Sequence, residues 1–309
     1  GFRPFDEGYI SCNDGNVHAC GHDAHTAIGL GVAETILEQR DKLKGKIRFL
    51  FQPAEERYNG ALSMVAKGLL DDVDYFIGIH MALTAEGYPL PSNTICCGCK
   101  DFLSDDQVDV TFHGKAAHPC GASQEGKNAL LAACSAVLNL HAIAPHEAGI
   151  CRINVGVMQG GVVVNTIAPE AFISIEYRGQ TQEISAYARR RVFEILDGAA
   201  KMHGMDYTYV DFGEVPAAQS DDAMMKIIQR AAEKVPWFKQ IYFEGSIGGT
   251  DDASVMMNKV QEHGGIATYL GIGTDTTNTL HHPEFDIDED SIPAAIEMLV
   301  HALEEIHTA

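Results

Sequence analysis

The stretch from residue 105 to 214 constrains this chain most, because its elements come in an order that few architectures accommodate. QVDVTFHG alternates apolar and polar residues as a half-buried strand does, and helical spacing follows over 128–142. Strand-like runs cover 152–158 and 171–177, a helical pattern covers 184–202, and a last strand-like run covers 207–212. The order β-α-β-β-α-β predicts a compact two-layer α+β module with its helices on one face of a sheet. On either side the chain reads differently, as helices alternating with short apolar strands. The spacing therefore predicts a discontinuous α/β domain, residues 1–104 with 215–309, into which the module 105–214 is inserted.

In that first domain residues 1–17 read as loop, and a helix spans 25–38. KIRFLFQ (46–52) reads as a buried strand ended by Pro53, a helix covers 60–70, and YFIGI (75–79) reads as a second buried strand. After Pro216 come helices over 223–234 and 253–261, a strand over 267–270 and a closing helix over 292–306 with an acidic start.

Chemistry-bearing residues gather at the ends of these elements. His18-Ala19-Cys20-Gly21-His22-Asp23-Ala24-His25 packs a thiol, three imidazoles and a carboxylate into eight positions. Sulfur and imidazole nitrogen bind divalent transition metals, and a carboxylate can orient an imidazole or bridge ions. In an extended segment Cys20 and His22 would face one way. Taken alone, the octet is equally compatible with a buried Cys beside surface histidines. Glu55 and Glu56 follow the 46–52 run, His80 ends the 75–79 strand, and His281-His282-Pro283 lies in a loop. Open α/β sheets place ligands at such strand ends. Adjacent glutamates in extended backbone cannot both face one point, which suits one to metal ligation and the other to proton transfer.

Acidic residues outnumber basic ones 43 to 22, giving a net charge of −21, so nucleic acid and anionic membranes are poor partners. No signal peptide and no apolar run long enough to span a bilayer are found, which points to the cytosol. The eight cysteines lack the paired spacing of a structural zinc site, and Cys96-Cys97-Gly98-Cys99 reads as reduced, partly buried thiols.

HACGHDAHTA (18–27), FQPAEE (51–56), GIH (78–80), FHGKAAHP (112–119) and LHHPEFD (280–286) together resemble one family. It is the amidohydrolase branch of the aminoacylase/carboxypeptidase metallopeptidases, which includes hippurate and indole-acetyl-amino-acid hydrolases. EYRG (176–179) and GTDDAS (249–254) bring the sequence nearest to its aminobenzoyl-glutamate-hydrolysing members. The resemblance implies a three-layer α/β/α metallohydrolase domain carrying a ferredoxin-like lid and dimerisation domain. It implies two divalent ions, Mn or Zn, held by Cys20, His22, Glu56, His80 and His281, with Cys20 bridging. The family's His-x-Pro spacing favours His281 over His282. Glu55 would be the general base, and His118 would reach the partner's active site in a dimer to help hold the oxyanion. Asn165 and Arg178 match positions that contact the substrate's carboxylate. The implied reaction is hydrolysis of the amide of an N-acyl or N-aroyl amino acid such as aminobenzoyl-glutamate. A homodimer through the lid is implied, and a heteromer is compatible. Family members also carry a sizeable segment ahead of the metal motif, with an Arg-Ala-Asp-Met-Asp-type stretch, that is not found in this sequence. Two further readings remain open at this level: a cysteine hydrolase using Cys20 and His22, and a non-catalytic or partner-dependent subunit that retains the fold.

Overall fold

The structure is a computed structural model that describes residue 11 and residues 13–308. Cys12 and most of the loop expected over 1–17 lie outside the described residues. The chain divides into two compact units, one of residues 1–102 and 218–309, the other of residues 103–217.

The first unit contains α1 (His22–Gln39), α2 (Gly60–Ala66), β1 (Tyr75–Met81), the short hairpin β2 (Thr84–Ala85) and β3 (Tyr88–Pro89), and β4 (Thr94–Cys96). In the second unit lie β5 (Asp105–His113), α3 (Ala129–Leu140), β6 (Cys151–Gly160), β7 (Glu170–Gly179), α4 (Gln182–Met202) and β8 (Asp206–Val215). The first unit resumes with α5 (Asp222–Ala232), β9 (Gln240–Tyr242), α6 (Ala253–Glu262), β10 (Ile266–Ile272) and α7 (Ser291–Thr308).

A mixed four-stranded sheet, ordered β1-β10-β4-β9, forms the centre of the first unit. β10 is parallel to β1 and antiparallel to β4. Alternation along each strand supplies both faces. Ile95, Leu270 and Ile272 pack with α1, α5 and α7, whereas Cys96, Ala267 and Tyr269 pack with α2 and α6. The result is three layers, helix on sheet on helix. α1 buries Ala24, Ile28, Val32 and Ile36, a four-residue repeat that lays one stripe on the sheet.

KIRFLFQ is not a strand. Among the described residues no ladder includes 46–52, and Phe51 is exposed. Apolar content makes a segment able to pair, but a strand exists only where a second backbone supplies the complementary hydrogen bonds. Arg48 instead donates to the Leu69 carbonyl and to Asp72.

In the second unit the sheet order is β6-β7-β5-β8, antiparallel throughout, which is the ferredoxin-like arrangement. Even-numbered Val108, Val110 and Phe112 of β5 and odd-numbered Ala171, Ile173, Ile175 and Tyr177 of β7 bury one face. Ala132, Ala136, Ala188, Val192 and Leu196 of α3 and α4 cover it. No helix among the described residues is long and apolar enough to cross a membrane. All seven described cysteines are free thiols, and Cys96, Cys97 and Cys99 are fully buried.

Candidate metal centre

Backbone turns, not an extended segment, bring the octet's donors together. α1 begins at His22, and Gly21 before it takes the left-handed conformation at φ 79°. A Cβ there would lie 3.2 Å from the Met81 Cβ, so only glycine lets the turn press against β1. Cys20 and His22 then converge with His80 from β1. The donor atoms of these three lie within 4.8 Å of one another, with Cys20 Sγ 3.5 Å from His80 Nε2. His80 Nδ1 lies 2.6 Å from the Met81 carbonyl, which makes that nitrogen the donor and leaves the Nε2 lone pair directed at the cluster.

Glu55 and Glu56 stand on a short 3-10 turn, Glu55–Arg57, and there the premise of extended backbone fails. The tighter rise lets both carboxylates share one group with His22, whose Nε2 is 3.6 Å from Glu55 Oε2. Left-handed Ala54 and Tyr58 flank the turn. On the other side His281, itself at φ 67°, donates its backbone N–H to the Ala19 carbonyl at 2.6 Å. That bond ties the 280–286 loop to the octet, and Cys20, Glu56 and His281 form a second three-donor group. His281 Nε2 is 3.4 Å from Glu56 Oε1. Cys20 belongs to both groups.

The electrostatics demand positive charge. Burial, then the carboxylates of Asp251, Glu56 and Asp252, push the Glu55 carboxyl up to about 8. Burial, then the carboxylates of Glu56, Glu55 and Asp251, push the Cys20 thiol up to about 12. Such a thiol is a poor nucleophile unaided, which argues against the cysteine-hydrolase alternative. The sulfur, imidazole and carboxylate donors fit one or more divalent transition ions, which would offset the clustered acids. The donors open onto a cleft of about 1210 Å³ lined in part by His22, Glu55, His80 and Asp251.

Comparison with known proteins fixes the family. Residues 3–305 match Peptidase family M20/M25/M40. The chain is 42% identical over 298 residues to indole-3-acetyl-aspartic acid hydrolase of Enterobacter agglomerans, covering 96% of this chain and 67% of that protein. It belongs to the M20 peptidase family. Another M20 relative is one of the subunits of p-aminobenzoyl-glutamate hydrolase of Escherichia coli, 41% identical over 96% of this chain and 67% of that protein. Among solved structures, an aminobenzoyl-glutamate utilization protein from Klebsiella pneumoniae superposes with a TM-score of 0.76 at 37% identity, covering 91% of this chain and 67% of that one. A Bacillus subtilis protein described as a dinuclear metal-binding peptidase of the M20 family gives 0.78 at 25% identity, covering 96% and 75%. The chain is thus a metal-binding hydrolase of the M20 type.

Within the M20 chain, the remaining site candidates lie in the second unit. His118 follows β5 in a loop, and its Nδ1 accepts the backbone N–H groups of Cys120 (3.2 Å) and Gly121 (3.1 Å). Nε2 must then carry the proton, so the ring presents a donor. Asn165 is exposed in the turn between β6 and β7. Arg178 on β7 does not stand apart: its Nη2 donates to Asp105 at 3.0 Å and to Glu176 at 2.7 Å.

Three residues near the donors were given no individual role from the sequence. His25 Nε2 accepts the Met81 N–H at 2.9 Å, and burial holds its pKa well below the usual range. Asp251 and Asp252 are buried, and one carboxylate oxygen from each lies within 4.8 Å of Glu55's and of the other. They directly precede α6, where adjacent acids ordinarily mark a solvated cap. The signal available was that two adjacent acids stand in one of the stretches that carry the family resemblance.

Proposed function

We propose that this chain is a dinuclear metal-dependent amidohydrolase that cleaves the amide of N-acyl or N-aroyl amino acids. The observation that carries the reading is the pair of three-donor groups sharing one residue, Cys20 with His22 and His80, and Cys20 with Glu56 and His281. A thiolate can bridge two ions, and each group supplies mixed donors acceptable to Mn²⁺ or Zn²⁺. In this assignment the first unit is the catalytic domain and residues 105–214 are the lid and dimerisation domain.

Bound divalent ions would lower the pKa of water and polarise the scissile carbonyl. Glu55, placed beside His22 and facing the cleft, takes the proton of the attacking water as the C–O bond forms. When the C–N bond breaks it returns that proton to the leaving nitrogen. His118, fixed as an Nε2–H donor, serves the oxyanion of the neighbouring copy's substrate. Asn165 and Arg178 bind the substrate carboxylate. For Arg178 that carboxylate competes with Asp105 and Glu176 for the guanidinium fork.

The two relatives above 40% identity are named for amides that join an aromatic acyl group to aspartate or glutamate, which supports that substrate class here. A homodimer through the second unit is supported by β6, an edge strand that leaves Val157 and Met158 exposed, and by exposed Leu131 and Leu138 on α3. The Escherichia coli relative is named as one subunit of its hydrolase, which favours a heteromer as the second reading of assembly. The test is hydrolysis of aminobenzoyl-glutamate, indole-3-acetyl-aspartate and hippurate by metal-loaded protein and by Glu55→Gln. Turnover in the wild type and its loss by a factor of about 10³ in the variant, with metal still bound, is expected. Equal turnover in both would overturn the assignment.

A further inference from the structure

The turn that carries Glu55 and Glu56 is short and strained, and the structure shows what closes it. Gln52 precedes the turn and Gly60 follows it, and the two positions touch: a side chain at Gly60 would overlap the Pro53 carbonyl and the Gln52 side chain. Asn59, at the start of α2, makes no side-chain cap. The acceptor comes from much farther along the chain. Asp252 Oδ1 accepts from Gln52 Nε2, and Oδ2 accepts the Ala61 N–H at 3.1 Å. The Gly60 amide is also turned toward this carboxylate.

Asp252 sits at the N-cap of α6, where an aspartate ordinarily bonds its own helix. It makes no such bond. Asp251 takes over that task, accepting the Ala253 N–H at 2.7 Å while the Tyr269 hydroxyl donates to its other oxygen. Asp252 is therefore fully buried with its carboxylate diverted to both ends of the Glu55–Glu56 loop. Burying a charge is costly unless hydrogen bonds repay it, and here the bonds all fall on this one loop.

We propose that Asp252 is a positioning residue that clamps the loop and thereby sets where Glu55 and Glu56 stand. This rests on the roles given to those two glutamates above. The Cys20, His22 and His80 group does not depend on the clamp, so loosening it should affect one ion site and spare the other.

The experiment compares wild type, Asp252→Ala, Asp252→Asn and Gln52→Ala. Three quantities are measured: ions per chain by mass spectrometry, kcat and KM on aminobenzoyl-glutamate, and amide exchange at Ala61 in chelator-treated protein. Asp252→Ala is expected to fall from about two ions to about one and to lose about 10²-fold in kcat with little change in KM, the scale of a small misplacement at the reacting centre. Its Ala61 amide should exchange about 10²-fold faster. Asp252→Asn restores most of all three, because its oxygen still accepts from Ala61 and its NH₂ can donate to a rotated Gln52 amide. If the charge alone mattered, Asn would behave like Ala, and the clamp would be refuted. Both ions retained with kcat within about threefold, or unchanged Ala61 exchange, would equally overturn it. Should Asp252→Ala not fold, Gln52→Ala removes one anchor and reads the same quantities. A wild type without metal or turnover would instead overturn the roles of Glu55 and Glu56, while Ala61 exchange still decides the clamp.

Discussion

The base proposed for catalysis should destabilise the metal-free protein, and by an amount that can be worked out. The Glu55 carboxyl is moved from 4.5 to about 8 by burial and then by neighbouring acids. At 1.36 kcal/mol per unit, this sets an upper bound of about 5 kcal/mol. Glu55's side chain is 22% exposed, so water screens a large part of this. A contribution of about 2 kcal/mol is the working magnitude. Its sign follows from proton binding. Between pH 4.5 and about 8 the folded chain holds a proton on Glu55 that the unfolded chain has lost, so stability falls as pH rises through that window. Glu55→Gln keeps the size and removes the titration. Urea unfolding of chelator-treated protein should therefore find the variant about 2 kcal/mol more stable than wild type at pH 8.5 and equal to it near pH 4. A variant less stable than wild type at pH 8.5, or a gap that does not change with pH, would refute the account of the buried carboxylates.

Other outcomes follow from the same geometry. His118→Ala should lower kcat by about 10²-fold with metal content unchanged, if the ring has the proposed role of a donor to the oxyanion and not a metal ligand. On the proposed homodimer, Met158→Lys, placing a charge on the exposed edge strand β6, should yield monomers by sedimentation and lower activity to the level of His118→Ala, because no neighbouring copy would then supply the imidazole. Arg178→Met should raise KM by about tenfold or more for an acidic N-acyl amino acid and leave its neutral amide analogue unaffected. Equal effects on both, with lowered thermal stability, would assign Arg178 to Asp105 and Glu176 instead.

Periodicity made the long elements legible. Helical spacing over 25–38, with Ile28, Val32 and Ile36 among its apolar positions, announced α1, and alternation in QVDVTFHG announced β5. The β-α-β-β-α-β order read from 105–214 is the order found in the second unit. What failed was whatever depends on a distant partner. KIRFLFQ has a strand's composition but no paired backbone among the described residues. β4 and β9 have three residues each, too few for a period, and Cys96 of β4 read as one thiol among others although it lies in the central sheet. The donors were found by residue type, whereas their convergence rests on features invisible in composition: the left-handed turn at Gly21, the 3-10 turn under Glu55 and Glu56, and the His281–Ala19 bond. Asp252 went unnoticed because its partners, Gln52 and Ala61, are nearly 200 positions away.

The sharing of Cys20 between two donor groups is the centre of the account, and metal content measured together with aminobenzoyl-glutamate hydrolysis tests it most directly. Wild type should hold about two ions per chain and turn over, Cys20→Ala should lose both ions and activity, and His281→Ala should keep about one. A Cys20→Ala protein that keeps two ions and its turnover, or an active wild type that holds none, would contradict it.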